Sequence, residues 1–146
     1  MFKKVIILFA LAFMSQAWAS NVDIAELTKE AKQGNDFAAY QLGSMYNEGR
    51  GVEKDTKLAF DWFLRSARLG NPQAQSRVGF KYAIGKDTSK DMVKAYAWFD
   101  TAVKNGHESS KNFKEKAAKS LSKTELIEAQ KLSEKLYGLY KSRSNQ

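Results

Sequence analysis

Apolar positions along the middle of the chain recur at threes and fours. Ala38, Leu42 and Tyr46 stand at i, i+4 and i+8, and beyond a Gly-rich break Ala59, Trp62, Phe63 and Ala67 form a second stripe. Two amphipathic helices folded as a hairpin are predicted from this spacing. The same order then returns. Gly34, Gly70 and Gly106 lie 36 residues apart, and in that register Ala38/Ala74, Gly43/Gly79, Tyr46/Tyr82, Gly49/Gly85, Asp55/Asp91, Ala59/Ala95, Trp62/Trp98 and Phe63/Phe99 coincide. A fixed period of this length is the signature of a helical array.

The ends of the helices are marked as well. Asp55 and Asp91 stand where the second helix of each unit begins, suited to accept from its free amides, and Asn71-Pro72 reads as an N-cap with Pro at the first helical position. Gly43 and Ala59, with Gly79 and Ala95 in the next unit, are small enough to let paired helices approach closely, while Tyr46, Trp62 and their equivalents fill the space between units. A single hairpin would leave that face wet, so stacking and end caps are required. Asp23 and Glu26 have capping-box spacing ahead of a lone helix to about Gln33, which would close the N-terminal end.

After Gly106 the pattern degenerates. Phe113, Ala117 and Leu121 form a new stripe, and Ser122 with Glu125 opens a long helix whose Leu126, Ala129, Leu132, Leu136 and Leu139 are its expected buried positions. The polar tail "KSRSNQ" is expected to fray. The predicted fold is therefore all-α. It is a short α-α superhelix of two 36-residue hairpins (34–69 and 70–105), a capping helix over 20–33, and a degenerate third repeat with a C-terminal capping helix and tail over 106–146.

The run "AAYQLGSMYNEGRGVEKDTKLAFDWFLRSARLGN" carries Leu42-Gly43, Tyr46, Gly49-Arg50-Gly51-Val52, Asp55, Ala59, Trp62 and Gly70. In that order they closely resemble the Sel-one-like repeat, an α-solenoid relative of the tetratricopeptide repeat. The second unit departs from it where Asp87-Thr88 replace Gly51-Val52. The resemblance implies a non-enzymatic interaction scaffold without cofactor, since proteins of this family mostly bind other proteins. It also implies a groove on the concave face formed by the first helices. Carrying over the groove-facing positions of tetratricopeptide repeats selects Phe37, Tyr40, Ser44, Asn47 and Glu48, then Gln73, Ser76, Phe80, Ala83 and Ile84. Tyr40 and Phe80 are the expected aromatic anchors, unless they pack against the adjacent helix instead. With only two regular units the groove is short, and a homodimer could complete it.

The N-terminus changes where such a scaffold would work. Lys3 and Lys4 precede the apolar run "VIILFALAF", and Ala17-Trp18-Ala19 gives a small-x-small site before Ser20. These features predict a cleavable secretory signal over 1–19, cut between Ala19 and Ser20, and a periplasmic or secreted product with no membrane span after cleavage. Beyond Ala19 the chain carries 22 basic and 16 acidic residues, and five of those six net positive charges fall within 104–146. Lys111, Lys114, Lys116 and Lys119 there read as a solvated face, with attraction to anionic membrane or envelope polymer as the alternative. Export and the lack of a basic-aromatic stacking platform argue against nucleic acid.

Candidates for catalysis are few. Cys is absent and His107, in an expected turn, is the only histidine, which leaves thiolate metal sites without ligands and a Ser-His-Asp triad with one poorly placed member. Some relatives in this repeat family have been linked to β-lactam hydrolysis, and Ser120 to Lys123 has the S-x-x-K spacing. Its companion motifs are missing, so an envelope hydrolase is the rival reading. Asp55, Asp61, Asp91 and Asp100 are read as caps or solvated surface positions.

Overall fold

The computed structural model describes residues 22–142, and among these the regular elements are all helical. In chain order they are α1 (Ile24–Lys32), α2 (Asp36–Glu48), α3 (Thr56–Arg68), α4 (Pro72–Ile84), α5 (Met92–Lys104), a 3-10 turn (Glu108–Ser110), α6 (Lys111–Lys119) and α7 (Lys123–Tyr140). The expected secretory signal and its cleavage site lie outside the described residues. No described helix is long and apolar enough to cross a membrane.

Two hairpins, α2/α3 and α4/α5, form the body, with α1 before them and α6 and α7 after. Their starts follow the residues that can cap them. The side chains of Asp23, Asn35, Asp55, Asn71, Asp91 and Ser122 each accept from amides of the first turn, satisfying donors that have no partner within the helix. Ser122 and Glu125 complete a reciprocal capping box. Gly49 and Gly85 end α2 and α4 in left-handed conformation, at φ 73° and 75°.

The hairpins close because two glycines give way to rings. A methyl group at Gly43 would lie 2.6 Å from the Phe63 ring, and one at Gly79 would lie 2.8 Å from Phe99. Each hairpin then hands an apolar face to the next. Trp62 packs with Leu27, Ala31 and Leu42 on the α1/α2 side, whereas Trp98 packs with Phe60, Phe63, Ala74 and Val78. Beyond α5, Tyr96, Phe99, Ala117 and Ala129 gather Phe80, Phe113, Leu121 and Leu126 into a third cluster.

The C-terminal helix departs from its expected stripe. Its buried residues are Ala129 and Ser133, and Leu139 is 60% exposed. Two contacts rotate the seam. Ser133 donates to the buried Asp100 carboxylate, and Tyr140 stacks on Trp98 with ring centroids 6.0 Å apart. The tail expected to fray is held at Ser142, and its residues 143–146 lie outside the described residues. The Tyr140 carbonyl accepts from Gln75 and Asn105, and the Ser142 amide donates to Asn105 Oδ1 at 2.8 Å. These bonds tie the end of α7 to the starts and ends of earlier helices.

Asp100 is the second correction, because it is 8% exposed and not a solvated surface position. Lys104 and Lys114 reach it at 2.9 and 3.1 Å, and Glu134 of α7 closes on Lys104 at 2.6 Å. A buried charge is tolerated when it is paired and hydrogen-bonded. Lys114 is thereby removed from the basic face to which the sequence assigned it.

Candidate functional site

A groove of about 660 Å³ opens at the N-terminal end of the array, between the start of α1, one face of α2 and the turn after it. Phe37, Tyr40 or Gln41, and Ser44 stand at i, i+3/i+4 and i+7, so the helix places them in one line. Val22, just ahead of α1, and Ile24, its first residue, face them, and Met45, Arg50 and Gly51 complete the lining. Gly51 adopts φ 70°, and a methyl group added to it would lie 3.6 Å from the Met45 methyl, so the left-handed turn brings the chain back beside its own helix.

The groove joins anchored and free apolar groups. Tyr40 is half-buried, its ring tilted on Phe63 at 5.7 Å, and is thus held in place. Phe37 is 55% exposed and Val22 50% exposed. Arg50 is the single charged lining residue, and Glu48 pairs with it at 2.7 Å. Such a surface can hold an apolar side chain while Gln41 and Ser44 offer donors and acceptors to a peptide backbone.

Of the residues selected by resemblance, the structure brings Phe37, Tyr40 and Ser44 into this groove, with Glu48 at its edge through Arg50. The others do not join them. Ser76 is buried and accepts from the Ser110 hydroxyl, so it does not face a groove. Phe80 is half-buried between Phe99 and Phe113, at 5.1 and 4.4 Å, because the third unit brings Phe113 onto it. Its role as a free anchor is corrected to one in packing. Asn47 lies 3.4 Å from the Lys81 ammonium, Gln73 and Ile84 are exposed, and Ala83 packs with the third cluster. Sequence reasoning missed Val22, Ile24 and Met45. The apolar Val22 and Ile24 on either side of Asp23, an N-cap, were the available signal.

The residues with catalytic potential are engaged in structure. His107 Nδ1 meets the Ser110 hydroxyl at 2.8 Å, and that hydroxyl, fully buried, donates on to Ser76. Burial and the nearby Arg77 charge hold His107 below its ordinary range. Ser120, of the S-x-x-K spacing, donates to the Ala117 carbonyl at 2.7 Å. Among the described residues no group of three or more His, Cys, Asp or Glu side chains could hold a metal ion.

Comparison with known proteins agrees with this architecture. The Sel1 repeat model matches residues 36–71 and 72–107. A crystal structure of a protective antigen present in uropathogenic Escherichia coli strains, displaying an SLR fold, superposes with a TM-score of 0.76 at 31% identity. That match covers 80% of this chain and 25% of the antigen, so the chain spans a quarter of that protein's length. A Sel1 repeat protein from Oxalobacter formigenes superposes with a TM-score of 0.59 at 24% identity, covering 75% of this chain and 98% of that one. No curated protein matches. With two consecutive matched units and solved neighbours that share the same helical hairpins, this chain carries two Sel1 repeats in an SLR fold.

Proposed function

We propose that this chain is a non-enzymatic interaction module of the bacterial periplasm or outer envelope, and that it holds an extended peptide segment of a protein partner in the groove on α2. The observation that carries the reading is the pairing of exposed Phe37 and Val22 with the fixed ring of Tyr40 in one groove. Apolar side chains in such a cluster are what a partner's anchor residue covers. Sel1 repeat architecture supports an interaction role, and the segment Lys3 to Ala19 supports export.

Phe37→Glu is the test, because Phe37 is exposed and its replacement leaves the hairpin core intact. The exported chain and this variant, shown by circular dichroism to be equally helical, are used as baits in envelope extract. A protein retained by the parent and lost from the variant supports the groove, and equal capture by both overturns it. The mass of the exported chain checks the location. It begins at Ser20 if the signal is removed as proposed, and an intact Met1 terminus contradicts export by this route.

A further inference from the structure

A second groove, of about 600 Å³, runs along α3 beside the end of α1. It is the counterpart of a seat that the chain fills elsewhere. In the 36-residue register Trp62 corresponds to Trp98, Asp61 to Ala97 and Arg68 to Lys104. On the second repeat α7 covers this face. Tyr140 stacks on Trp98, Glu134 pairs with Lys104 at 2.6 Å, Ala97 is fully buried and Trp98 is 5% exposed.

On the first repeat, no described helix covers the face. Trp62 and Leu58 are half-buried and line the groove, and Asp61 and Arg68 are exposed. The preceding helix α1 stops at Lys32, where Arg65 donates to the carbonyls of Ala31 and Lys32 at 3.0 and 2.8 Å. Arg65 therefore closes one end and leaves the indole accessible. The charged lining is Lys32, Arg65 and Arg68 against Asp61, and neither Lys32 nor Arg68 forms an ion pair among the described residues. A basic apolar groove of this kind complements an acidic apolar partner.

We propose that the α3 groove docks an acidic amphipathic helix of a partner protein, with a large apolar side chain on Trp62 and a carboxylate on Arg68. The occupant repeats what α7 does on α5, where an aromatic ring and a glutamate from one helix meet Trp98 and Lys104. A second copy of this chain is a poorer occupant. Its own α7 is already seated, and residues 104–146 would bring an excess of five positive charges to a basic rim. This surface is separate from the α2 groove.

The probe is a fluorescein-labelled peptide of residues 122–140 carrying Lys123→Glu, Lys131→Glu and Lys135→Glu, titrated by anisotropy against the full chain. Saturable binding is expected, weakened tenfold or more by Lys32→Glu with Arg68→Glu and weakened by added salt. Both basic residues are exposed, so circular dichroism of the double variant should match the parent. Phe37→Glu should leave the affinity unchanged, which distinguishes failure here from failure of the α2 reading. No saturable binding, or equal affinity for the charge-reversed chain, overturns the proposal. So does binding that strengthens with Tyr140→Ala and ignores the charge reversal, because the peptide is then replacing α7 on Trp98.

Discussion

The Trp98 and Tyr140 rings lie 7° from parallel with centroids 6.0 Å apart, although 42 positions separate them in the chain. This stack is where the last helix grips the second repeat, and Leu136 joins it against the cluster around Phe63 and Val78. Tyr140→Ala keeps the backbone carbonyl that Gln75 and Asn105 use and removes only the ring. It should cost about 1.5–3 kcal/mol in urea unfolding and shift the tryptophan emission to the red. An unchanged midpoint would show that the stack adds nothing.

The glycines separate into two kinds by what an added methyl group would meet. At Gly43 it would lie 2.6 Å from Phe63, a ring 2% exposed and backed by Tyr40, so overpacking should outweigh the helix-propensity gain of Ala and leave a net loss of about 1–2 kcal/mol. Gly138 is inside α7 with nothing within 4 Å. Gly138→Ala should stabilise by about 0.5–1 kcal/mol. Denaturant midpoints for the two variants must move in opposite directions.

The period and the caps were legible because they depend on local chemistry. Asp55, Asn71 and Ser122 accept from amides three residues away, and Gly43 facing Phe63 follows from the small residue that recurs at Gly79. What could not be read is set by distance along the chain. Asp100 looks like any exposed helical acid until Lys114 and Ser133 arrive from two later helices. Phe80 looks like an exposed anchor until Phe113 covers it. The shift of the α7 seam from Leu132 and Leu139 to Ser133 and Tyr140 has the same origin. One helix face had to match a buried carboxylate and an indole, not only an apolar stripe.

Acid should lower the stability of the fold in two steps. Burial, and after it the Arg77 charge, holds the His107 imidazole below its ordinary range, so its contribution is present above the unfolded value and is lost as pH falls through the lower folded value. Asp100 comes later. Burial pushes its carboxyl up, but the hydrogen bonds from Ser133, Lys104 and Lys114 outweigh it and hold it below 3.8. Its contribution is therefore present above 3.8 and lost as pH falls through the folded value. Asp100→Asn should cost about 1.5–3 kcal/mol at neutral pH, the value of hydrogen bonds to a charged group, and flatten the lower step of stability against pH. A variant that keeps the parent's full acid profile would refute the assignment.

Asp87 shows how a repeat tolerates a departure from its own pattern. It occupies the position of Gly51 and adopts nearly the same left-handed backbone, φ 68° against 70°. The carboxylate accepts from Thr56 of the previous hairpin and from Lys81, both at 2.7 Å, and the Lys81–Asp87 pair is 13% exposed on each side. Asp87→Gly would relieve the positive φ, worth up to about 1 kcal/mol. It would also remove a charged partner from a largely buried ammonium, worth about 1.5–3 kcal/mol. The second effect is larger, so the variant should be less stable by about 1–2 kcal/mol in urea. Adding Lys81→Met removes the orphaned charge and should recover much of the loss. If Asp87→Gly is as stable as the parent, the left-handed strain outweighs the ion pair and the contact between hairpins is incidental.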